Sequence, residues 1–194
     1  MRTPAHDAVP EDGAAEASPR DGEAALRAPL TRGDRAAAGE FYDSYAPRVR
    51  RFIAGSLGSF GTRQDAEDLM QETFISMAEA LPFFRGESTL FTFACAIAHR
   101  KVQSFIQTGA RRARLAAGID LSAQATEQGG TRDGALLRAL DAISPDYREL
   151  LHLKYVEDAS VAEIAAIRGE SEHAVESRLA RARRSLKKLM GRRR

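Results

Sequence analysis

Cysteine occurs once, at Cys95, so the chain has no internal disulfide, and its four histidines are scattered without zinc-ligand spacing. No apolar run approaches the roughly 20 residues of a bilayer-spanning helix, and the amino terminus lacks the apolar stretch of a signal peptide. These absences lead us to expect a cytoplasmic chain with no metal, no cofactor and no direct membrane insertion. Enzyme chemistry is equally short of parts. There is no phosphate-cradling glycine loop, and Glu172-His173 and the isolated serines form no pattern of nucleophile, base and orienting group. No catalytic residue is assigned, and Cys95 reads as a small buried hydrophobe.

Hydrophobic residues make up 43% of the 194, enough for ordinary globular cores in one large domain or two small ones. The net charge of +2 conceals a strong asymmetry between the two ends. Met1 to Pro29 carries six acids against three arginines, whereas Arg178 to Arg194 holds nine basic residues and no acid. The basic end has the electrostatic footprint of a phosphate-binding surface, and equally that of a solvated helix face.

Residues 1–30 are rich in Ala, Pro, Gly and acids without apolar periodicity, and are expected to be disordered. From there to residue 112 the pattern predicts three helices. Asp34 is a candidate N-cap for the first, whose apolar face is Phe41, Tyr45, Val49, Phe52 and Ile53, with Pro47 expected to kink or offset it. Thr62 and Asp65 have capping-box spacing ahead of the second, with the stripe Ala66, Met70, Met77 and Leu81 and with Leu69 and Phe74 beside it. Pro82 ends that helix, and Phe83-Phe84-Arg85-Gly86-Glu87 forms a turn before Ser88 or Thr89 caps the third. The third repeats Leu90, Phe93, Ala94, Ile97, Ala98, Val102 and Phe105, and runs toward Arg111, Arg112 and Arg114.

Residues 113–132 read as a flexible linker of some twenty residues, with an extended reach of roughly 70 Å. Four short helical patterns follow over residues 133–190, ahead of a basic tail at 191–194. Leu136, Leu137, Leu140 and Ile143 mark the first of these. Ser144-Pro145 opens the second, with Leu150, Leu151 and Tyr155 as its apolar face. Ser160 and Glu163 form a capping box for the third, where Ile164 and Ala165 point inward and Gly169 suits a left-handed turn. Ser171 caps the last helix, buried along Val175, Leu179, Ala182, Leu186 and Leu189. Small Ala165, turning Gly169 and anchoring Val175 make a helix-turn-helix signature, whose second helix fits the major groove.

Two stretches carry a specific resemblance. The run Asp65-Ala66-Glu67-Asp68-Leu69-Met70-Gln71-Glu72-Thr73-Phe74, then Phe84-Arg85-Gly86-Glu87-Ser88 and Ile97-Ala98, resembles region 2 of the extracytoplasmic-function (ECF) sigma factors in the sigma-70 family. Glu163-Ile164-Ala165 and Ser177-Arg178-Leu179-Ala180-Arg181-Ala182-Arg183 are similar to their region 4. The resemblance implies an all-α protein of two small helical domains joined by a flexible linker. It also implies a function: binding core RNA polymerase and directing transcription from promoters read at their −35 and −10 elements. Asp65, Asp68, Leu69, Gln71, Glu72 and Phe74 would then dock on the clamp helices of the largest polymerase subunit, with the flap region as a second contact. Phe83, Phe84, Arg85, Gly86, Glu87, Ser88, Phe93, Arg100 and Lys101 would read and open the −10 element, although Phe83 and Phe84 also suit a core plug. Ser171, Glu172, His173, Glu176, Ser177, Arg178, Arg181 and Arg184 would read the −35 element. An anti-sigma protein is expected as a further partner.

The chain departs from the family pattern at several positions. Phe93 stands in place of a usual tryptophan and Arg100 in place of a usual asparagine. Arg168 and Glu170 replace apolar residues around Gly169, where Ile167 is expected to take over the packing, and Glu176 replaces a lysine. His99 and His173 read as surface or DNA-proximal side chains. Two other readings compete: a helix-turn-helix regulator acting without polymerase, and a sigma-like protein that only sequesters a partner.

Overall fold

A computed structural model describes residues 19–117 and 132–191, with side chains from 25 to 110 and from 135 to 191. The expectations for residues 1–18, most of the linker and residues 192–194 lie outside the described residues. Eight α-helices, two single-turn 3-10 helices (Gly58–Phe60 and Leu81–Phe83) and no strand are present among those described.

The first module is α2 (Arg35–Leu57), α3 (Arg63–Ala80) and α4 (Leu90–Ala117), packed mutually against one another. Local signals decide where each starts. Asp34 accepts from the N–H groups of Ala36 and Ala37, satisfying donors that the first turn leaves orphaned. Thr62 and Asp65 make the complete capping box of α3, and the Thr89 hydroxyl accepts from Thr92 N–H at 3.0 Å to start α4. α2 runs through Pro47 as one helix, with Pro47 on its exposed side. The buried residues repeat the predicted stripes: Phe41, Val49, Phe52 and Ile53 on α2, Ala66, Leu69, Met70 and Met77 on α3, and Leu90, Ala94, Ala98 and Val102 on α4. Cys95 is fully buried, and burial pushes its thiol well above the usual range, as expected of a packing residue.

The second module is α5 (Arg132–Ala142), α6 (Pro145–Tyr155), α7 (Val161–Arg168) and α8 (Glu172–Gly191). The Ser144 side chain caps α6, which has Pro145 at its first position, and Ser160 with Glu163 forms the reciprocal box of α7. Gly169 ends α7 in the left-handed region, with φ 66° and ψ 36°. A Cβ there would meet no atom within 4 Å, so only the backbone conformation is at stake. Gly169→Ala is therefore expected to cost about 1 kcal/mol in urea denaturation.

The expectation of disorder up to Leu30 is corrected from Pro19 onward. Pro19–Thr31 forms α1, which lies along α2; Leu30 is buried and Leu26 packs on the core. Two leucines placed one turn apart are enough to anchor a short helix to an existing apolar surface, which a count of Ala, Pro and acids overlooks.

The two modules pack against each other: one cluster joins Phe52, Ile53, Ala98 and Val102 to Leu150, Leu153, Ile164, Ile167 and Val175. α6 lies against α2, and α7 against α4. Conversely, Leu136, Leu137 and Tyr155, expected to face inward, are exposed. They line an apolar groove of about 920 Å³ between α2, α5, α6 and α8, because α5 has too few neighbours to cover its whole apolar side.

Candidate nucleic-acid and polymerase interfaces

The helix-turn-helix comprises α7, the turn at Gly169 and α8. Val175, Leu179 and Ala182 bury one face of α8, leaving Ser171, Glu172, His173, Glu176, Arg181 and Arg184 exposed on the other. The Ser171 hydroxyl also accepts from Ala174 N–H at 3.2 Å, so it caps the helix it was expected to help read with. Ser177 is half-buried. Arg178 is half-buried too and held by Asp146 at 3.4 Å and Glu170 at 3.1 Å.

The predicted departures at Arg168 and Glu170 have a structural answer. Ile167 is buried in the apolar position, while Arg168 donates to Asp146, to Glu149 at 2.7 Å and to Glu170 at 3.1 Å with only 3% of its side chain exposed. The neighbouring carboxylates outweigh the desolvation of the guanidinium and raise its pKa further. A buried ion network thus replaces the apolar plug expected of such a turn.

In the first module, the turn at 83–88 splits its two phenylalanines. Phe83 is 83% exposed, whereas Phe84 is half-buried and stacks on Phe93 at 4.7 Å between ring centroids. Gly86 has φ 75°, a left-handed value, and Arg85 and Glu87 project into solvent on either side. The Ser88 hydroxyl donates to the Thr89 carbonyl at 3.3 Å. One aromatic and one cation are therefore presented on a turn whose second aromatic is tied to the core. Arg100 is exposed on α4, and Lys101 pairs with Glu72 of α3 at 3.4 Å.

Along α3, Asp68, Gln71 and Glu72 are exposed and form one polar stripe. Asp65 is committed to the capping box: its carboxylate accepts from the Thr62 hydroxyl and N–H, both at 2.7 Å, which holds it below the ordinary aspartate range. Leu69 is buried and Phe74 is half-buried against Phe41 and Tyr42, so these two support the stripe from beneath.

His99, read as a surface side chain, instead holds a buried carboxylate of the other module. Its Nδ1 lies 2.6 Å from Glu149 Oε1, and Gln103 donates to Oε2 of the same carboxylate at 3.3 Å. Glu157 forms a second such node. Its carboxylate accepts from Arg51 at 2.8 Å and lies 3.4 Å from Arg48 Nε and 3.5 Å from His152 Nε2. Sequence reasoning missed both nodes. A faint signal existed in Glu149, a charge set within the stripe that Leu150 and Leu153 define.

Burial alone would raise the Glu157 carboxyl, but the nearby His152 ring, the hydrogen bonds from Arg51 and the charges of Arg51 and Arg48 outweigh it, leaving a pKa of about 2 against 4.5. A lowered folded-state pKa means that its stabilisation is present above pH 4.5 and is lost as pH falls toward 2. The groups facing it are Arg48 and Arg51 of α2 and His152 of α6, with Cys95 of α4 coupled by charge. Subtracting the pH–stability curve of Glu157→Gln from that of the unmodified chain is expected to leave a difference that vanishes across that window.

The fold and these surfaces define the class: an all-helical, two-module protein whose second module is a helix-turn-helix. The model of Sigma-70 region 2 matches residues 41–112, and that of Sigma-70 region 4 matches residues 133–186. The sigma factor CarQ of Myxococcus xanthus is 31% identical over 156 residues, covering 78% of this chain and 88% of CarQ. The ECF sigma factor BldN of Streptomyces coelicolor is 29% identical over 166 residues; the match covers 81% of this chain and 62% of BldN's length. The fold also matches the sigma factor RpoE bound to the anti-sigma factor NepR from Bartonella quintana (TM-score 0.63, 23% identity, 80% of this chain and 98% of that one). It matches CnrH in complex with the cytosolic domain of CnrY as well (TM-score 0.67, 24% identity, 90% and 100%). The chain belongs to the ECF sigma factors of the sigma-70 family, which are transcription initiation factors rather than catalytic enzymes.

Proposed function

We propose that this chain binds core RNA polymerase and selects promoters, with residues 31–112 acting as region 2, 113–132 as the tether and 133–190 as region 4. The observation that carries this reading is that two exposed surfaces with the chemistry to take nucleic acid stand on one chain in the family's order. One is the turn presenting Phe83 and Arg85; the other is the outer face of α8, with His173, Glu176, Arg181 and Arg184. An exposed aromatic beside a cation can take an unstacked base, and a half-exposed helix bearing arginines can lie in the major groove. The stripe Asp68, Gln71 and Glu72 suits a basic partner surface such as the polymerase clamp.

The same reading has the protein perform no catalysis of its own and work in the cytoplasm, at the nucleoid when active. Among the described residues no helix is long and apolar enough to cross a membrane. Because RpoE and CnrH are each bound by a second protein in their solved structures, an inhibitory partner is part of the proposal. The exposed groove lined by Leu136, Leu137, Tyr155 and Met190 has the apolar character such a partner requires.

Transcription by purified core polymerase across a random promoter library tests the reading directly. New start sites sharing two spaced elements are expected, and an unchanged start-site pattern refutes it. Glu176 sharpens the test, since a carboxylate on the outer face of α8 either repels phosphates or accepts from a cytosine amine. Glu176→Lys is expected to change which −35 sequences the library returns; a uniform gain across all promoters removes base reading by Glu176.

A further inference from the structure

The short helix α1 carries a cation to the turn that presents Phe83. We propose that Arg27 of α1 is a further nucleic-acid contact of this chain, gripping a phosphate of the single strand whose base the turn takes. This rests on the reading of the turn as the −10 site given above, and adds to it a residue ahead of the stretch 41–112 matched to region 2.

Two leucines and a hydrogen-bonded turn fix where Arg27 stands. Leu26 and Leu30, four residues apart, put one stripe of α1 against the first module, with Leu30 buried and Leu26 packed on the core. The Thr31 hydroxyl donates to the carbonyls of Arg27 and Ala28 at 2.9 and 3.0 Å, which secures the last turn. Beyond it, Gly33 N–H donates to the Leu30 carbonyl at 3.0 Å and Asp34 N–H to the Pro29 carbonyl at 3.1 Å. Asp34 is also the N-cap of α2, so α1 is fastened directly to the first helix of the module. Its other neighbour is the 3-10 turn Leu81–Phe83, which leads into the turn at Gly86.

Arg27, about 100° around the helix from Leu26, stands at the edge of the buried stripe and is exposed. Its guanidinium lies over the backbone of Gly86, where a Cβ would stand 2.9 Å from Cζ and nearer still to Nη1. Glycine at 86 therefore meets two needs, the left-handed φ of 75° and room for this guanidinium. Among the described residues Arg27 has no carboxylate at ion-pair distance, so its charge is not spent on the fold. Arg85, on the same turn, reaches Glu87 only at 4.0 Å with both side chains in solvent. Arg27 and the turn, with Ala162 and Glu163 of α7, border a cavity of about 430 Å³, so the guanidinium faces space rather than packed side chains.

A guanidinium offers a planar fork of donors that matches the oxygens of a phosphate. Arg27 and Arg85 flank Gly86, and Phe83 stands exposed on the same turn. A ring with cations beside it is the arrangement of single-strand binders, the ring taking a base and the cations following the backbone. A phosphate contact adds affinity without adding sequence preference.

Fluorescence anisotropy of the complete chain with core polymerase, on forked promoter DNA that is single-stranded over the −10 element, tests this across salt. Arg27→Gln is expected to lower the slope of log affinity against log salt by about 0.7, the share of one single-strand phosphate. That slope corresponds to about fivefold in affinity near 0.1 M salt and to none near 1 M. Arg27→Lys, which keeps the charge, is expected to keep the slope, and duplex DNA carrying only the −35 element is expected to bind unchanged. An unchanged slope in Arg27→Gln overturns the proposal, as does a slope lost equally in Arg27→Lys. A loss confined to particular −10 sequences would make Arg27 a base reader, and an equal loss on the −35 duplex would make it a structural residue; either result also overturns it. Arg85→Gln and Phe83→Ala locate a failure. If they bind the fork like the unmodified chain, the −10 reading of the turn fails; if they lose affinity and Arg27→Gln does not, only the role of Arg27 fails.

Discussion

Arg168→Leu, which puts an apolar side chain at the helix-turn-helix turn, is expected to cost about 3 kcal/mol rather than to stabilise the module. The guanidinium is the shared partner of Asp146, Glu149 and Glu170, and Glu149 is almost wholly buried. Removing the cation leaves a buried carboxylate with only His99 and Gln103, and Glu170 with Arg178 alone. Urea denaturation measures the loss. The triple variant Arg168→Leu/Glu149→Gln/Glu170→Leu is expected to recover most of it, since replacing a whole buried ion network with apolar or neutral groups is often neutral. Equal stability of Arg168→Leu and the unmodified chain would show that the network contributes nothing.

Phe83→Ala separates promoter opening from folding. With 83% of Phe83 exposed, its loss is expected to change stability by less than about 0.5 kcal/mol. Base stacking on an aromatic contributes about 1 to 3 kcal/mol, so the loss in open-complex formation is expected to reach roughly 5- to 150-fold. Phe84→Ala is the contrasting case. Its ring stacks on Phe93 and packs on the core, so that variant loses stability as well. Permanganate footprinting of melted promoter DNA, run beside thermal denaturation, distinguishes the two. A Phe83→Ala protein that melts promoters normally refutes the stacking role.

Much of the fold was legible because its signals are local. A cap is decided within four residues, as at Asp34, Thr62, Ser144 and Ser160, and each of these caps forms as the spacing predicts. The apolar stripes of α2, α3 and α4 repeat with the helical period, and every turn of the helix restates them. The outer face of α8 was legible for the same reason, since burying Val175, Leu179 and Ala182 sends its neighbours outward. Errors arose where a residue's fate depends on a distant segment. Leu26 and Leu30 are two apolar residues in a polar stretch until α2 lies beside them, and His99 is a surface histidine until Glu149 arrives from 50 residues away.

By itself, the order of residues determined an all-helical chain, the start of most helices, the helix-turn-helix and the family. Each of these depends on contacts within one or two helical turns. Only the tertiary structure decided that the modules share one core, that Glu149 and Glu157 join them, and that Arg27 and α7 crowd the turn at Gly86. Burial of a charge is set by what approaches it in space, and nothing in the neighbouring residues of the chain records that approach.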